Sequence, residues 1–190
     1  MLSHIYDTSP PPDYPYSRAL SAHSAVIQLY ARSGQLPTAE TLASRGKLPS
    51  SLCRMGCDAV ESMHHIFVDC IHFSHWRIDT ASELVARTAA KLNEAGLPDE
   101  EQVSVLLAAK SLFIDDDLTW PLRMSQYYLG HIPSLRGFIT VANIPGVVKR
   151  RKLLTHISAD WHTTSIRLAG RIFGSIQRTM AARAAEQFCL

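Results

Sequence analysis

Residues 53 to 70, CRMGCDAVESMHHIFVDC, contain three of the chain's four cysteines and two of its nine histidines. Zinc prefers thiolate and imidazole ligands, and a close cysteine pair followed by His and Cys suits a tetrahedral site. Cys53 and Cys57 enclose three residues, one of them a glycine that allows a tight turn. His65 and Cys70 complete a C-x3-C-x7-H-x4-C pattern. These four residues predict a closed, structural Cys3His zinc site.

The last two ligands have alternatives in the sequence. His64 competes with His65, and His72 or His75 could replace Cys70. On a regular helix, residues five apart lie about 140° apart around the axis, so the helix must loosen before Cys70 if both bind one ion. We prefer His65 and Cys70, because a thiolate is a better ligand in a structural zinc site than a further imidazole.

A second interpretation of the cluster is that the cysteines are small buried hydrophobic residues and the histidines lie at the surface. Four of the nine histidines and three of the four cysteines fall between positions 53 and 75. This clustering favours the metal interpretation.

The composition is that of a globular protein. The chain has 190 residues, of which 46% are hydrophobic and 19% charged, enough for a domain with a real core. The N-terminus lacks a secretory signal pattern, and no apolar run reaches the roughly 18 residues of a membrane helix. We expect an intracellular protein, nuclear or cytoplasmic, in which clustered thiols are more suited to metal than to disulfides.

Hydrophobic spacing predicts a mainly α fold, namely a helical domain with a small Cys3His zinc-binding knuckle and a long C-terminal amphipathic helix. We divide the chain into a Pro-rich leader (1–16), a zinc-binding module (17–78) and a helical C-terminal region with a basic last helix (79–190). Helices are predicted over 17–33, 37–44 and 75–95, and from Asp99 with a capping box to Gln102. A long helix is predicted over 147–187, with a break near Gly170 or Gly174 as the alternative. A strand pattern occurs at FITVANI, 138–144.

Charge is distributed unevenly along the chain. Residues 146–190 carry eight Lys and Arg against two acidic residues, a net charge of +6, which leaves −4 for residues 1–145. Candidate phosphate-contacting residues are Lys149, Arg150, Arg151, Lys152, Arg167, Arg171 and Arg178. We expect RNA or DNA to bind this helix without base readout, with a solvated face or a protein partner as the alternatives. Neither a membrane nor a small-molecule substrate is expected.

The stretch from Ser24 to Arg77, SAVIQLYARSGQLPTAETLASRGKLPSSLCRMGCDAVESMHHIFVDCIHFSHWR, resembles the reverse-transcriptase zinc-binding domain. That domain lies in the C-terminal region of non-LTR retrotransposon polyproteins. The shared features are a helix ending in RSG before LP, a cysteine pair, an acidic spacer and the element HIFVDC. Two later segments, YYLGHIPSL and LLTHISADWHTTSIRLAGRIFG, also resemble sequence that trails the domain.

The resemblance implies that Cys53, Cys57, His65 and Cys70 hold the metal. It also implies a non-catalytic module, derived from a retrotransposon reverse transcriptase polyprotein and associated with nucleic acid. The alternative is a zinc-stabilised structural or protein-interaction protein, or a degenerate element fragment without activity.

FIDD, Phe113 to Asp116, has the aromatic-x-Asp-Asp form of the reverse-transcriptase catalytic motif, in which paired carboxylates hold metal ions. It follows a predicted helix and lies after the zinc module, whereas the catalytic motif belongs on a hairpin turn. We therefore interpret FIDD as a solvated acidic loop. Because the sequence also contains no nucleophile with a base and no glycine-rich phosphate loop, we expect a protein that is not an enzyme.

Overall fold

The computed structural model describes residues 21–115, 124–133, 135 and 147–188. In these ranges the protein is mostly helical, as predicted, and the one β pairing is an isolated antiparallel bridge between Leu52 and Val60. The α-helices are α1 (Ala22–Arg32), α2 (Ala39–Ser44), α3 (Ser74–Glu94), α4 (Asp99–Ser111) and α5 (Val147–Phe188). A π-helical turn (His65–Asp69) and two 3₁₀ turns (Ile71–Phe73 and Tyr127–Leu129) lie between them.

Several parts of the sequence considered above fall outside the described residues. They include the Pro-rich leader, the FITVANI pattern and the fourth cysteine, Cys189. Within the described ranges, no helix combines the length and the apolar character needed to cross a membrane.

Side-chain caps explain where the first two helices begin. The hydroxyl of Ser21 accepts from the amide of Ser24 at 3.3 Å, and that of Thr38 accepts from the amide of Thr41 at 3.1 Å. The second helix therefore begins just after the predicted start at Pro37, because Thr38 caps its first turn at the Thr41 amide.

The capping box predicted at the start of α4 is replaced by a different contact. The Gln102 amide donates to the Leu97 carbonyl and to Asn93 Oδ1, both at 2.8 Å. It therefore braces the turn between α3 and α4. The capping-box pattern in the sequence could not predict these two acceptors, because they lie in the same short stretch before α4 as the group that a capping box would use.

The core is built on α5, which packs against α1 and α3. Trp161 of α5 is fully buried, and its Nε1 donates to Thr88 Oγ1 of α3 at 3.0 Å. Phe67 of the π-helical turn stacks on Tyr128 with a 5.1 Å centroid distance, and Phe113 meets Tyr127 edge-on at 4.9 Å. One buried cluster thus includes residues of both the predicted zinc module and the C-terminal region.

The last helix is long, as predicted, and the alternative of a break is wrong, since α5 is continuous through Gly170 and Gly174. A Cβ at Gly170 would lie 2.1 Å from Ser24 Oγ and 2.6 Å from Ser24 Cα on α1. Glycine is therefore needed here for the close approach of two helices, although it lowers helix propensity.

We expect Gly170→Ala to destabilise the protein by about 2 kcal/mol, because the new methyl group collides with the backbone of α1. The matched control is Gly174→Ala, where a Cβ would meet only the ends of the His23 and Arg178 side chains, at 3.3 and 3.4 Å. Urea unfolding of both variants measures the difference. Equal stability of the two variants would contradict the close packing of α1 on α5.

Candidate metal centre

The first cysteine pair lies in a small hairpin-like knuckle. The Cys53 amide donates to the Ala59 carbonyl at 2.9 Å, beside the Leu52–Val60 bridge. The Gly56 amide closes the turn on the Cys53 carbonyl at 2.9 Å, and Gly56 has φ of +99°, a conformation that favours glycine. The glycine predicted for the knuckle therefore has a defined role in forming the turn.

The second pair lies on the π-helical turn. The Cys70 amide donates to the carbonyl of His65, five residues earlier, at 2.6 Å. A π-helical turn is wider than an α-helical turn and brings residues five apart onto one side. The expected loosening of the helix before Cys70 is confirmed, and it takes the form of this turn.

Side chains from distant elements satisfy the carbonyl groups around the π-helical turn. Tyr127 Oη donates to the Phe67 carbonyl at 2.8 Å, and Arg77 Nη1 donates to the Cys70 carbonyl at 3.0 Å. Both side chains are buried. The turn is thus held from outside as well as by its own hydrogen bonds.

The structure brings Cys53, Cys57, His65 and Cys70 together, with one ligand atom of each within 4.8 Å of all the others. Cys57 Sγ and Cys70 Sγ are 3.6 Å apart, far beyond the roughly 2.05 Å of a disulfide. Two sulfurs bound tetrahedrally at about 2.3 Å from one zinc lie about 3.8 Å apart. The observed spacing fits ligands of a common ion.

The imidazole of His65 adds a second observation. Its Nε2 is buried and has no hydrogen-bond partner among the described residues, as expected for a nitrogen that binds a metal. His162 Nε2 is likewise buried without such a partner, but it belongs to no group of potential ligands in the described part of the chain. His65 therefore differs from His162 in having three thiols beside it, and these thiols, together with the unpartnered nitrogen, make His65 a candidate metal ligand.

Burial favours the neutral forms of these ligands in the absence of a cation. It raises the pKa of the Cys53 thiol and raises the pKa of Cys70 to about 12, while it lowers the pKa of His65. A bound divalent cation reverses this preference for the thiols, because it stabilises thiolate. With three thiolates and one neutral imidazole, such a centre carries a charge of −1, and the buried Arg77 guanidinium offsets it.

The alternative histidines are placed elsewhere. His64 Nε2 lies 3.1 Å from Asp115 Oδ2 and 3.8 Å from Asp69 Oδ1, in a separate and more exposed group. His72 and His75 are exposed and belong to neither group. The structure therefore assembles the preferred set of side chains.

The FIDD motif has a structural role in its described residues. Phe113 is fully buried, while Asp115 is exposed and accepts from the Ser125 amide at 2.8 Å as well as facing His64. Asp115 thus joins its loop to the π-helical turn. Asp116 lies outside the described residues.

Sequence reasoning missed Glu61, the acidic residue that anchors the knuckle. Its carboxylate is fully buried and accepts from the amides of Ala39 and Arg54, both at 2.8 Å, and from the Arg54 guanidinium. It also lies at the N-terminus of α2, where a negative charge is stabilised. Glu61 therefore ties α2 to the cysteine pair. The only feature of the sequence that points to this role is the position of Glu61 between Cys57 and His65.

The predicted basic residues whose side chains the structure describes are exposed on α5 but do not form one cluster. Arg171 lies over the Trp76 ring, with Cζ 4.2 Å from the centroid. Arg178 lies near Gly174 on the side of α1, and Lys152 lies toward the other end of the helix. The side chain of Arg150 is outside the described part of the chain.

Comparison of the chain with protein-family models, with curated proteins and with solved structures finds no match. The resemblance to the reverse-transcriptase zinc-binding domain therefore stays a prediction from the quoted residues.

We expect Glu61→Leu to destabilise the protein by about 3 kcal/mol, because it leaves two amides without their acceptor and the Arg54 guanidinium without its carboxylate partner. Asp58→Leu, at an exposed position of the same knuckle, is the matched control. Chemical denaturation measures both, and a Glu61 variant as stable as the control would contradict the anchoring role.

Proposed function

We propose that the protein is a non-catalytic zinc-binding module derived from a retrotransposon reverse transcriptase polyprotein. It would bind nucleic acid by contacting the phosphate backbone of the nucleic acid. The observation that carries the proposal is the Cys3His group, with its 3.6 Å sulfur separation and its unpartnered His65 nitrogen. Its origin rests on the resemblance of residues 24–77.

Three thiolates and an imidazole select zinc over magnesium, calcium or manganese, which prefer oxygen ligands. Four protein ligands fill a tetrahedral site, so no position is left for a reactive water. The ion would therefore be structural. It would join the knuckle to the π-helical turn, which packs through Phe67 into the core around α5.

The nucleic-acid part of the proposal is supported by charge. Exposed Lys and Arg residues recur along α5, a helix of 42 residues, or about 63 Å at 1.5 Å per residue. Cations spaced along a rod can neutralise successive phosphates without reading bases. Zinc would then hold the fold, and the surface of α5 would provide the binding.

A second candidate function is protein interaction. Val26, Leu29 and Tyr30 of α1 are 42%, 46% and 50% exposed, and their spacing places them on one face of the helix. An apolar face of this kind favours a protein partner. In that case zinc would hold a protein-binding surface in place.

We expect purified protein to contain one zinc per chain and to lose helicity when a strong chelator removes it, because metal binding energy contributes directly to folding. Elemental analysis and circular dichroism measure these properties. Cys57→Ser and Cys70→Ser should lose the zinc, whereas Cys189→Ser, the matched control, should retain it. Folded protein without metal would contradict the zinc centre.

We expect binding of labelled oligonucleotides to weaken as salt rises, with the logarithm of affinity falling by about 0.7 to 0.9 per phosphate contact for each tenfold increase in salt. Fluorescence anisotropy at several salt concentrations measures the slope. Absence of binding at low salt would reject the nucleic-acid function and leave protein interaction as the remaining candidate.

A further inference from the structure

Two grooves lie along the junction between α3 and α5. The first, of about 160 Å³, is lined by Thr80, Glu83, Arg87, Thr164, Arg167 and Arg171. The second, of about 280 Å³, is lined by Lys91, Lys149, Lys152 and His156, with Glu94. Each groove is larger than the roughly 30 Å³ that one water occupies, so each has room for an anion.

The two grooves meet at one ion-pair cluster. Asp160 Oδ2 accepts from Lys91 Nζ at 2.6 Å and from Arg87 Nε at 3.2 Å. Arg87 also donates through Nη2 to Thr164 Oγ1 at 2.8 Å. This cluster holds Arg87 and Lys91 in position, each directed to the middle of the junction.

The register of the helices shows that both grooves belong to one surface, which we call the α3–α5 seam. The lining residues of α5 recur every three or four positions, as do those of α3, so each set lies on one helix face. On α5 they run from Lys149 and Lys152 through His156 and Thr164 to Arg167 and Arg171. Lys149 and Arg171 are separated by about 33 Å along the helix at 1.5 Å per residue.

The seam has an excess of positive charge at both ends. Arg167 and Arg171 at one end, and Lys149 and Lys152 at the other, form no ion pair with any residue that the structure describes. The three carboxylates of the seam are Glu83, Asp160 and Glu94. Asp160 and Glu83 are engaged by Arg87 or Lys91. The cations at the ends are therefore available to an external anion.

Arg171 is held ready for such an anion. Its guanidinium lies over the Trp76 ring at 4.2 Å. A stacked guanidinium keeps its edge donors free to bind an oxyanion, and less side-chain entropy is lost on binding.

We propose that the α3–α5 seam binds phosphates of a nucleic-acid backbone at its two ends, through Arg167 and Arg171 and through Lys149 and Lys152. This inference rests on the proposed function and specifies its surface. The separation of the ends, about 33 Å, is close to one turn of a duplex, about 34 Å, so one strand can reach both ends. Arg151 faces away from the seam, and Arg178 lies about two helical turns beyond Arg171; neither lines a groove, and we expect neither to take part.

The test compares pairs of charge-removing variants on the same helix. Arg167→Gln with Arg171→Gln removes one end, and Lys149→Gln with Lys152→Gln removes the other. Arg151→Gln with Arg178→Gln is the matched control, since it removes the same charge from α5 outside the seam. Glutamine keeps the side-chain length and the helix propensity, and circular dichroism with zinc analysis verifies folding.

We expect each seam pair to weaken binding of a duplex of about twelve base pairs by about tenfold and to reduce the salt slope by about two, one per lost phosphate contact. The control pair should change affinity by less than about threefold and leave the slope unchanged. A control pair that weakens binding as much as the seam pairs would overturn the seam while the proposed function stands. Failure of the unmutated protein to bind duplex or single strand would reject both.

Discussion

The arrangement of the protein depends on the meeting of the knuckle with the π-helical turn. Four soft ligand atoms lie within 4.8 Å of one another there, and two of the cysteines are buried in the hydrophobic core. Without a cation, three clustered thiols, two of them buried, and an unpartnered imidazole nitrogen would leave the contact with little favourable energy. A bound zinc would make it the strongest link between the N-terminal segments and α5.

Hydrogen bonds in the rest of the fold connect the knuckle and the π-helical turn to α5. Glu61 joins the knuckle to α2, and Arg77 joins Cys70 to α3, while Tyr127 binds the Phe67 carbonyl of the π-helical turn. Trp161 and the cluster around Asp160 then hold α3 against α5. A functional surface at the α3–α5 junction would therefore depend on the metal centre although none of its residues is a ligand.

Local features were predictable from the sequence because they depend on neighbouring residues. The Cys3His group, the glycine of the knuckle, the loosened helix before Cys70 and the predicted helices belong to this class. The hydrogen bond from Tyr127 to Phe67 joins residues 60 apart, and the Lys91–Asp160 pair joins residues 69 apart, so no local pattern could indicate them. Gly170 was misread as a break because its local propensity opposes a helix, whereas packing against Ser24 requires a glycine.

X-ray absorption spectroscopy at the zinc edge of the purified protein tests the central claim most directly. The coordination proposed for Cys53, Cys57, His65 and Cys70 predicts three sulfurs at about 2.3 Å and one nitrogen at about 2.0 Å. A shell of nitrogen and oxygen alone, or a folded protein that contains no zinc, would contradict it.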